Sequence, residues 1–530
     1  AFIPRVYYHT TMLSIDRDRM ERLSALVDEI GLDTAWRALM CARVRTAGPA
    51  FAYMLAAREL RDTPLVPDLL AHLSIGEISI LYEYSLANAD PEKRKVAGQY
   101  FTPDDVAKLM ARQARSFPAA AVWVDPCSGV GNLSFWLARE MPDPESFVSH
   151  RLYLVDRDSL ALLIARTLFT LSFQRNEPRL FIRLRGRFLE HDFLHADDLP
   201  RFDAAILNPP YVSHVSDTAF ESASARNTYA YFLERIARLC LEGYIAITPQ
   251  TFTNGRAFVA LRRILLQRHA SLDILCFDNV PDTVFAGFKY GSENTNKANS
   301  VRAAITVARR ASQSQHRITP LLRWRSRERE LLFTIAHDFL APAPFTEKLF
   351  PKIDKDLLSL YALAKTFRHT LADMVVAAPT PYALFVPTTP RYFISANKSP
   401  LRRTSAKTLY FASQDDCERA YLVLNSSYMY WWWRVCDGGM TISERTLLDL
   451  PIPSVDIARA RHLIDELERS ELGSKVVKMN AGKAVENIKH PAGLVRSLTA
   501  FLFPDYVDSL SATHANSHVV TPRVQERLFI

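Results

Sequence analysis

Apolar residues recur every three to four positions in the first part of the chain, a spacing typical of amphipathic helices. Within residues 16–45 this repeat is interrupted at Gly31, so we expect one helix on either side of that glycine. Ser74 and Glu77 form a capping-box pattern that opens a further helix. Because nothing in residues 1–95 carries recognisable chemistry, the region is interpreted as a helical N-terminal extension that serves packing.

After about residue 100 the pattern changes to short, continuous apolar runs separated by segments with a helical period. Runs of this kind are typical of strands that are buried on both faces of a parallel sheet. The runs occupy residues 121–125, 151–155, 202–207, 243–249, 271–277 and 301–308, and a further strand is predicted to end at residues 190–194. This alternation predicts a doubly wound α/β fold over residues 96–315.

A helix start precedes the first of these strands. Thr102 stands before Pro103 and two acidic residues, so Thr102 is predicted to be the N-cap and Pro103 to lie in the first turn. Capping does not explain why the aromatic residues Tyr100 and Phe101 come directly before it.

The composition becomes polar around residues 311–316, and we place a domain boundary there. The remainder, residues 316–530, alternates short strands and helices without the earlier rhythm, which indicates a mixed α+β domain. A chain of 530 residues, 48% of them hydrophobic, can bury the cores of two or three domains.

Charge and cysteine usage narrow the functional classes only slightly. The net charge of +8, from 65 basic and 57 acidic residues, is compatible with a nucleic-acid partner without requiring one. The six cysteines are scattered and form no C-x-x-C pair, so neither a zinc site nor a disulfide framework is expected. Residues 1–5 hold no apolar signal region and no apolar run reaches membrane-spanning length, so we expect a cytoplasmic protein without a membrane partner.

Candidate chemistry centres on Asn208-Pro209-Pro210-Tyr211, which follows the apolar run 202–207. Two prolines cannot continue a hydrogen-bond ladder, so the strand must stop at Asn208. The turn then presents an amide, a backbone carbonyl and an aromatic ring at the carboxyl end of a strand, the edge where open α/β sheets bind ligands. Two acceptors can localise the lone pair of a planar amino group for methylation, and a ring can hold its base by stacking. A tight turn without chemistry is the alternative.

A second candidate site follows the strand that ends at Asp125. The sequence Pro126-Cys127-Ser128-Gly129-Val130-Gly131 leads into a helix. A strand, a glycine turn and a helix together suit a nucleotide-type ligand, because glycines let it approach the backbone and the helix start offers N–H groups. The third glycine of dinucleotide-binding enzymes is missing.

Two acidic positions at later strand ends are open to two interpretations. Asp156 is suited to gripping the two hydroxyls of a ribose, or it is a solvated strand-end acid or helix cap. Asp192 could accept from the amino group of an adenine while Phe193 covers its face, or the two are a turn acid beside a core aromatic.

The C-terminal region offers a basic stretch and an aromatic stretch. Lys398, Arg402, Arg403 and Lys407 lie near aromatic residues, which suits contact with phosphate groups, although a solvated loop has the same composition. Tyrosine and tryptophan crowd residues 425–437, where a hydrophobic core is favoured over insertion into a nucleic-acid groove.

The order of these pieces resembles the gamma class of DNA adenine-N6 methyltransferases, the TaqI-like enzymes of restriction-modification systems. The resemblance covers about residues 96–310 motif by motif and extends loosely to the C-terminal part. It implies a Rossmann-like S-adenosylmethionine-dependent methyltransferase domain at residues 96–315 and a DNA target recognition domain at residues 316–530.

The resemblance implies that the chain binds S-adenosyl-L-methionine. Its methionine end would be lined by Tyr100, Phe101, Thr102 and Pro103, and the loop beneath it would consist of Asp125, Pro126, Cys127, Gly129 and Gly131. Its ribose hydroxyls would bind Asp156, and its adenine would contact Asp192 and Phe193. The family usually has Cys-Gly-Ser-Gly or a similar loop, and the departure here retains both critical glycines.

The resemblance also implies a catalytic set at Asn208, Pro209, Pro210 and Tyr211. Asn208 and the Pro209 carbonyl would accept hydrogen bonds from the amino group of the target adenine. Tyr211 would stack on the flipped base, and Phe285 would supply the second stacking face. No metal is required for such a transfer.

Double-stranded DNA is the implied partner, with Lys398, Arg402, Arg403 and Lys407 as DNA contacts. The activity would be the protective modification of a type II restriction-modification system. A cognate restriction endonuclease would be encoded separately, and we expect a monomer.

Other functions share parts of this pattern. Protein-glutamine and RNA methyltransferases also carry Asn-Pro-Pro-Tyr, but they usually lack the Tyr-Phe-Thr-Pro stretch and a large C-terminal domain. Asparagine at position 208 favours adenine, whereas serine there would suggest cytosine-N4. A bifunctional nuclease-methyltransferase would need a metal-binding P-D…E-x-K pattern, and no suitable spacing follows Pro281-Asp282. The intact tetrapeptide at 208–211 argues against a non-catalytic DNA-binding subunit.

Overall fold

The structure, a computed structural model, describes residues 15–89, 102–285, 289–290, 293–294, 301–390, 393–403, 405–437, 439, 441–480 and 483–515. These residues form two compact units. The first runs to Arg317 and includes residues 325–338 and 346–348, and the second contains the others from Ile318 onward. The division at residues 95/96 and 315/316 into three domains stays a prediction.

Three helices open the first unit: α1 (Arg17–Ile30), α2 (Leu32–Ala47) and α3 (Ile75–Ala89). The predicted break at Gly31 is confirmed, and this residue has a φ of 80°, a left-handed value that favours glycine. The predicted capping box is present as well. The Glu77 N–H donates to Ser74 Oγ at 3.1 Å, and the Ser74 N–H donates to Glu77 Oε2 at 2.8 Å.

Glu59 attaches this helical region to the rest of the first unit. Its carboxylate accepts hydrogen bonds from Arg166 at 2.7 Å and from Arg185 at 2.6 Å. Burial alone raises the pKa of Glu59, but the hydrogen bonds from the two guanidinium groups outweigh it and lower the pKa to about 2. Tyr53 adds a 2.6 Å hydrogen bond to Gln174. The extension is thus held by paired charges as well as by buried apolar side chains.

A single sheet runs through the first unit in the order β10-β6-β9-β5-β4-β1-β2-β3, and the strands β7 and β8 pair with each other. In chain order the strands are β1 (Trp123–Asp125), β2 (Leu152–Asp156), β3 (Phe188–Glu190), β4 (Ala204–Leu207), β5 (Gly243–Pro249), β6 (Ser271–Cys276), β7 (Lys289–Tyr290), β8 (Glu293–Asn294), β9 (Ala303–Arg309) and β10 (Gln315–Ile318).

Strand direction defines the fold. Strands β3, β2, β1, β4 and β5 are parallel, whereas β9 lies between β5 and β6 and is antiparallel to both. The strand order reverses between β1 and β4, and the crevice at the carboxyl ends of such strands is the usual ligand site of a doubly wound sheet. The predicted Rossmann-like α/β fold is therefore confirmed.

The helices of the first unit connect these strands. They are α4 (Asp104–Arg112), α5 (Asn132–Glu140), α6 (Pro144–His150), α7 (Ser159–Phe173), α8 (Leu180–Arg183), α9 (Thr228–Leu239), α10 (Val259–Arg268) and α11 (Arg329–Ile335). The apolar runs behave as expected, since every residue of β4 and β6 is buried.

The second unit has short strands and helices. Its helices are α12 (Leu358–Ala364), α13 (Gln414–Leu424), α14 (Ser427–Cys436), α15 (Glu444–Leu448), α16 (Ile457–Gly473), α17 (Ala492–Leu502) and α18 (Val507–Ala515). Its strands are β11 (Ala341–Pro342), β12 (His369–Thr370), β13 (Val375–Val376), β14 (Ala383–Pro387), β15 (Ala406–Phe411), β16 (Pro451–Ile452), β17 (Lys475–Asn480) and β18 (Lys483–Ile488).

The aromatic stretch of the second unit forms its core, as its composition favoured. Every residue of helix α14 is buried, including the three consecutive tryptophans 431–433. Trp432 stacks on Tyr361 with 6.2 Å between ring centroids. Its indole N–H donates to the Thr446 carbonyl at 3.1 Å. Groove insertion by these side chains is therefore excluded in this conformation.

Candidate active site at the carboxyl edge of the sheet

The glycine turn after β1 is tied to the end of β2. The Gly129 N–H donates to Asp156 Oδ2 at 2.8 Å, and the Ser128 N–H donates to the Val155 carbonyl at 3.2 Å. Gly131 has a φ of 85° and directly precedes α5, and a Cβ there would lie 2.9 Å from the ring of Phe169. The predicted strand, turn and helix are thus present, and only glycine fits at position 131.

Asp125 is the buried acid of this turn, with 1% of its surface exposed. Its Oδ2 accepts a 3.0 Å hydrogen bond from Ser134, whereas its Oδ1 has no hydrogen-bond partner among the described residues. Burial raises the pKa of Asp125 to about 7, although the Ser134 hydroxyl and the Cys127 N–H partly offset this shift. Burial also raises the pKa of the Cys127 thiol well above its usual value, so this cysteine is not a thiolate.

Asp156 is held in place by backbone N–H groups. Besides Gly129, its carboxylate accepts from the Asp158 N–H at 3.0 Å. Burial raises the pKa of Asp156, and these backbone hydrogen bonds oppose the shift. Asp158 in turn caps α7 and accepts a 2.6 Å hydrogen bond from the hydroxyl of Tyr82 on α3. The cap could have been recognised in the sequence, but nothing there indicates the Tyr82 contact.

Thr102 does not cap α4, so that prediction is wrong. The helix begins after Pro103, and no side chain caps it. The Thr102 hydroxyl instead accepts a 2.9 Å hydrogen bond from Asn208 Nδ2, and its carbonyl accepts a 2.8 Å hydrogen bond from Asn132 Nδ2. Pro103 occupies the N-cap position, where the chain is extended, so the side chain of Thr102 points toward the end of β4.

Asn208 and Tyr211 are joined directly. The Tyr211 hydroxyl lies 2.7 Å from Asn208 Oδ1 and 3.0 Å from the Ile247 carbonyl, so its single proton is shared between two acceptors. The Tyr211 ring contacts Phe285 edge to face at 6.1 Å and Tyr229 at 6.0 Å. The tetrapeptide therefore places an amide and an aromatic ring together at the carboxyl end of β4.

The turn around Pro210 is held from α9. Thr228, the first residue of that helix, donates its hydroxyl to the Pro210 carbonyl. The Thr228 hydroxyl also accepts from the Val212 N–H at 3.1 Å. Two hydrogen bonds at one threonine thus fix the backbone on the far side of the two prolines.

Asp192 and Phe193 follow β3. Asp192 accepts from the Leu194 N–H at 3.1 Å and lies 3.9 Å from Arg157. Phe193 is 2% exposed and stacks on Phe232 with the two rings 6° from parallel. Asp192 is thus a turn acid and Phe193 a core aromatic, as the second interpretation held, and the contact with an adenine stays a prediction.

Two of the predicted cofactor contacts, Tyr100 and Phe101, lie outside the described residues. No group of three or more His, Cys, Asp or Glu side chains in the described part of the chain is placed to hold a metal ion. Among the described helices, none is long and apolar enough to cross a membrane.

The four basic residues of the second unit differ in their surroundings. Lys398 pairs with Glu468 and Lys407 with Glu444. Arg403 donates to Asn487 at 2.7 Å and to Thr389 at 2.8 Å, and burial lowers its pKa. The remaining member, Arg402, is exposed. The structure therefore does not gather these four side chains into a single exposed patch.

Comparison with known proteins finds a family model that matches the central region. Residues 74–286 match the family model described as N-6 DNA Methylase. The Type II methyltransferase M.PstI of Providencia stuartii is 23% identical over 253 residues, which are 43% of this chain and 49% of that protein. The chain thus spans about half the length of this curated relative.

Solved structures of restriction-modification proteins are also similar to this chain. The type IIG restriction endonuclease BpuSI shares 12% identity, with a TM-score of 0.41 over 95% of this chain and 80% of that chain. The methyltransferase subunit of a type I restriction-modification system from Streptococcus thermophilus shares 17% identity, with a TM-score of 0.33 over 58% and 69%. The resemblance predicted from the motifs is confirmed by the family model, and the matched residues 74–286 contain both the glycine turn and Asn208.

Proposed function

We propose that this chain transfers a methyl group from S-adenosyl-L-methionine to the N6 amino group of a flipped-out adenine in duplex DNA. The observation that carries the proposal is that Asn208, bonded to Tyr211, shares Thr102 with Asn132 at the end of the glycine turn, within the region that matches N-6 DNA methylases. The physiological role would be the protective modification of a type II restriction-modification system.

The glycine turn fits the cofactor on its own chemistry. Asp125 Oδ1 and Asn132 Oδ1 are buried acceptors without a hydrogen-bond partner among the described residues. Such atoms cost free energy unless a ligand or water satisfies them, so the turn suits a ligand with N–H or cationic groups. Asp156 would accept from two ribose hydroxyls, and the absence of a side chain at Gly129, where a Cβ would meet no atom within 4 Å, leaves the turn open to a ligand. Bound here, the cofactor would supply an electrophilic sulfonium methyl group.

Asn208 would activate the target nitrogen. Its Oδ1, which accepts from the Tyr211 hydroxyl at 2.7 Å, would also accept from the adenine amino group, together with the Pro209 carbonyl. These two acceptors shift the amino lone pair out of conjugation and toward the methyl group. Transfer would form an N–C bond at the expense of the C–S bond of the cofactor, whose electron pair would stay on sulfur, and the nitrogen would release one proton to water.

The side chain of Asn208 is held in the orientation that this role requires. Its Nδ2 donates to Thr102 at 2.9 Å, which directs Oδ1 away from Thr102. Catalysis would thus depend on positioning and on prearranged acceptors. Neither requires a metal ion.

The target base would be rotated out of the duplex at a cost of about a few kcal/mol. Tyr211 and Phe285, whose ring centroids are 6.1 Å apart, would supply the aromatic contacts that offset this cost. The second unit would recognise the DNA sequence, with Arg402 as its exposed phosphate contact. We further propose a monomer in the cytoplasm and a separately encoded endonuclease.

The test is single-molecule sequencing of DNA from a methylation-free host that expresses the chain. We expect methyladenine at one fixed motif with the wild-type chain and none with Asn208→Ala. Asn176→Ala, an exposed asparagine in another loop, is the matched control and should retain full methylation. Unmodified DNA from a folded wild-type protein that binds the cofactor would refute the proposal and point to RNA or protein as the substrate.

A further inference from the structure

Arg329, the first residue of α11, makes four hydrogen bonds while its side chain is only 8% exposed. Its Nε and Nη2 donate to the two carboxylate oxygens of Asp105, at 2.5 and 3.1 Å. Its Nη1 and Nη2 donate to the carbonyls of Thr283 and Val284, at 2.7 and 2.8 Å. One guanidinium group therefore joins two chain segments that are far apart in sequence.

Both segments border the candidate active site. Asp105 is in the first turn of α4, three residues after Thr102, which accepts from Asn208. Val284 directly precedes Phe285, whose ring contacts Tyr211. Arg329 thus connects the segment that orients Asn208 to the segment that carries the second aromatic ring.

The geometry of this link requires arginine. The bidentate contact with Asp105 uses one edge of the planar guanidinium group, while two backbone carbonyls accept from its remaining N–H groups. Its central carbon lies 4.9 Å from the centre of the Phe333 ring, which supports one face of the group. A lysine ammonium could keep the charge opposite Asp105 but could not reach all four acceptors at once.

We infer that Arg329 is a positioning residue for methyl transfer, and that it holds the Phe285 side of the target-base pocket at a fixed distance from Asn208. This inference rests on the function proposed above. Arg329 bonds to Asp105, Thr283 and Val284, so its action on the base would pass through Phe285 and through the start of α4.

The first test measures the link without relying on activity. Hydrogen–deuterium exchange of the full chain would be compared for the wild type, Arg329→Lys and the matched control Arg327→Lys, whose side chain is 71% exposed and faces Glu328 at 3.6 Å. We expect amides around residues 279–285 to exchange about tenfold faster or more in Arg329→Lys only, because two hydrogen bonds from a charged donor are lost. Unchanged exchange in these amides would overturn the inference.

The second test measures the consequence for the base. Fluorescence of 2-aminopurine at the target position reports flipping, and single-turnover methylation reports the chemical step. For Arg329→Lys we expect a smaller fluorescence rise and a rate about 10- to 100-fold lower, with S-adenosylmethionine affinity within about twofold of wild type.

These readouts separate the possible outcomes. A purely structural role would lower the melting temperature and the active fraction but leave the rate per active site and the fluorescence rise unchanged, which would overturn the inference. A wild-type chain that neither flips nor methylates DNA would refute the proposed function, while the exchange experiment would still decide whether Arg329 holds this segment.

Discussion

At the scale of single residues, the site is defined by buried acceptors and by what each one faces. Asp125 has one oxygen bonded to Ser134 and the other without a partner in the described part of the chain. Asn208 is oriented at both ends of its amide, by Thr102 and by Tyr211. Both arrangements can be tested by substitutions that remove one atom group and keep the shape.

Cofactor affinity should rise with pH through about 7, because burial raises the pKa of Asp125 to about 7 and a cationic sulfonium favours its ionised form. The pH dependence of folding stability has the opposite sign. The folded state keeps this proton to higher pH than the unfolded chain does, so the free protein should lose stability as pH rises from about 4 to about 7.

Calorimetry of S-adenosylmethionine binding between about pH 5.5 and 8.5, in buffers of different ionisation enthalpy, would check this coupling. We expect release of up to one proton on binding below pH 7. Asp125→Asn should bind more weakly with a flatter pH dependence. An unchanged pH dependence in this variant would assign the titration to another group, such as Asp156.

Replacing Thr102 with valine should lower the methylation rate by about tenfold, because it removes the hydroxyl that fixes Asn208 Nδ2 and lets the amide rotate. Thr102→Ser keeps this hydroxyl and should retain most of the activity. Single-turnover rates at saturating cofactor would separate this effect from weaker cofactor binding. Equal rates for the serine and valine variants would show that the hydrogen bond is not needed.

At the scale of elements, the N-terminal helices are joined to the α/β fold by a few charged contacts. Glu59 links the region after α2 to Arg166 on α7 and to Arg185. On α3, Tyr82 reaches Asp158, the cap of the same α7. Because α7 follows β2, these contacts support the strand end that carries Asp156.

Glu59→Gln should destabilise the protein by about 1–3 kcal/mol at pH 7, since it removes the charge that offsets Arg166, whose side chain is mostly buried. The two guanidinium groups lower the pKa of Glu59 to about 2, so its contribution is present above about pH 4.5 and is lost as pH falls through 2. Urea denaturation at several pH values would check this trend. Glu29→Gln, an exposed position on α1, should change stability little at any pH.

At the scale of the whole chain, a net charge of +8 favours association with DNA, but the charges are unevenly available. In the second unit, Lys398 and Lys407 are each paired with a glutamate, and Arg403 is held by two polar side chains. Exposure singles out Arg402 within the predicted basic stretch. Composition alone therefore overstates how much of this stretch is available to a polyanion.

Arg402→Gln should weaken DNA binding and reduce the slope of log affinity against log salt concentration by about 0.9, because one phosphate contact is lost. Arg459→Gln, an exposed position on α16 with the same change in net charge, should leave the slope nearly unchanged. Fluorescence anisotropy at several salt concentrations would measure both slopes. Equal slopes for the two variants would mean that Arg402 does not contact DNA.

Local patterns were enough for the features that depend on near neighbours. The apolar runs of β4 and β6, the capping box at Ser74 and the glycine turn at 129–131 are all present where the sequence predicted them. Each is decided by steric and hydrogen-bonding preferences within a few residues, and a proline pair ends a strand in any fold. The tetrapeptide at 208–211 follows β4 for the same reason.

Long-range contacts were decided only when the chain folded. Arg329 meets Asp105 across 224 positions, and Glu59 meets Arg185 across 126. No local preference encodes such a pairing, because it depends on which strands lie side by side, including the placement of β9 between β5 and β6. The hydroxyl of Thr102 shows the same limit: its local pattern predicts a helix cap, but tertiary packing brings Asn208 within hydrogen-bonding distance and gives that hydroxyl a different partner.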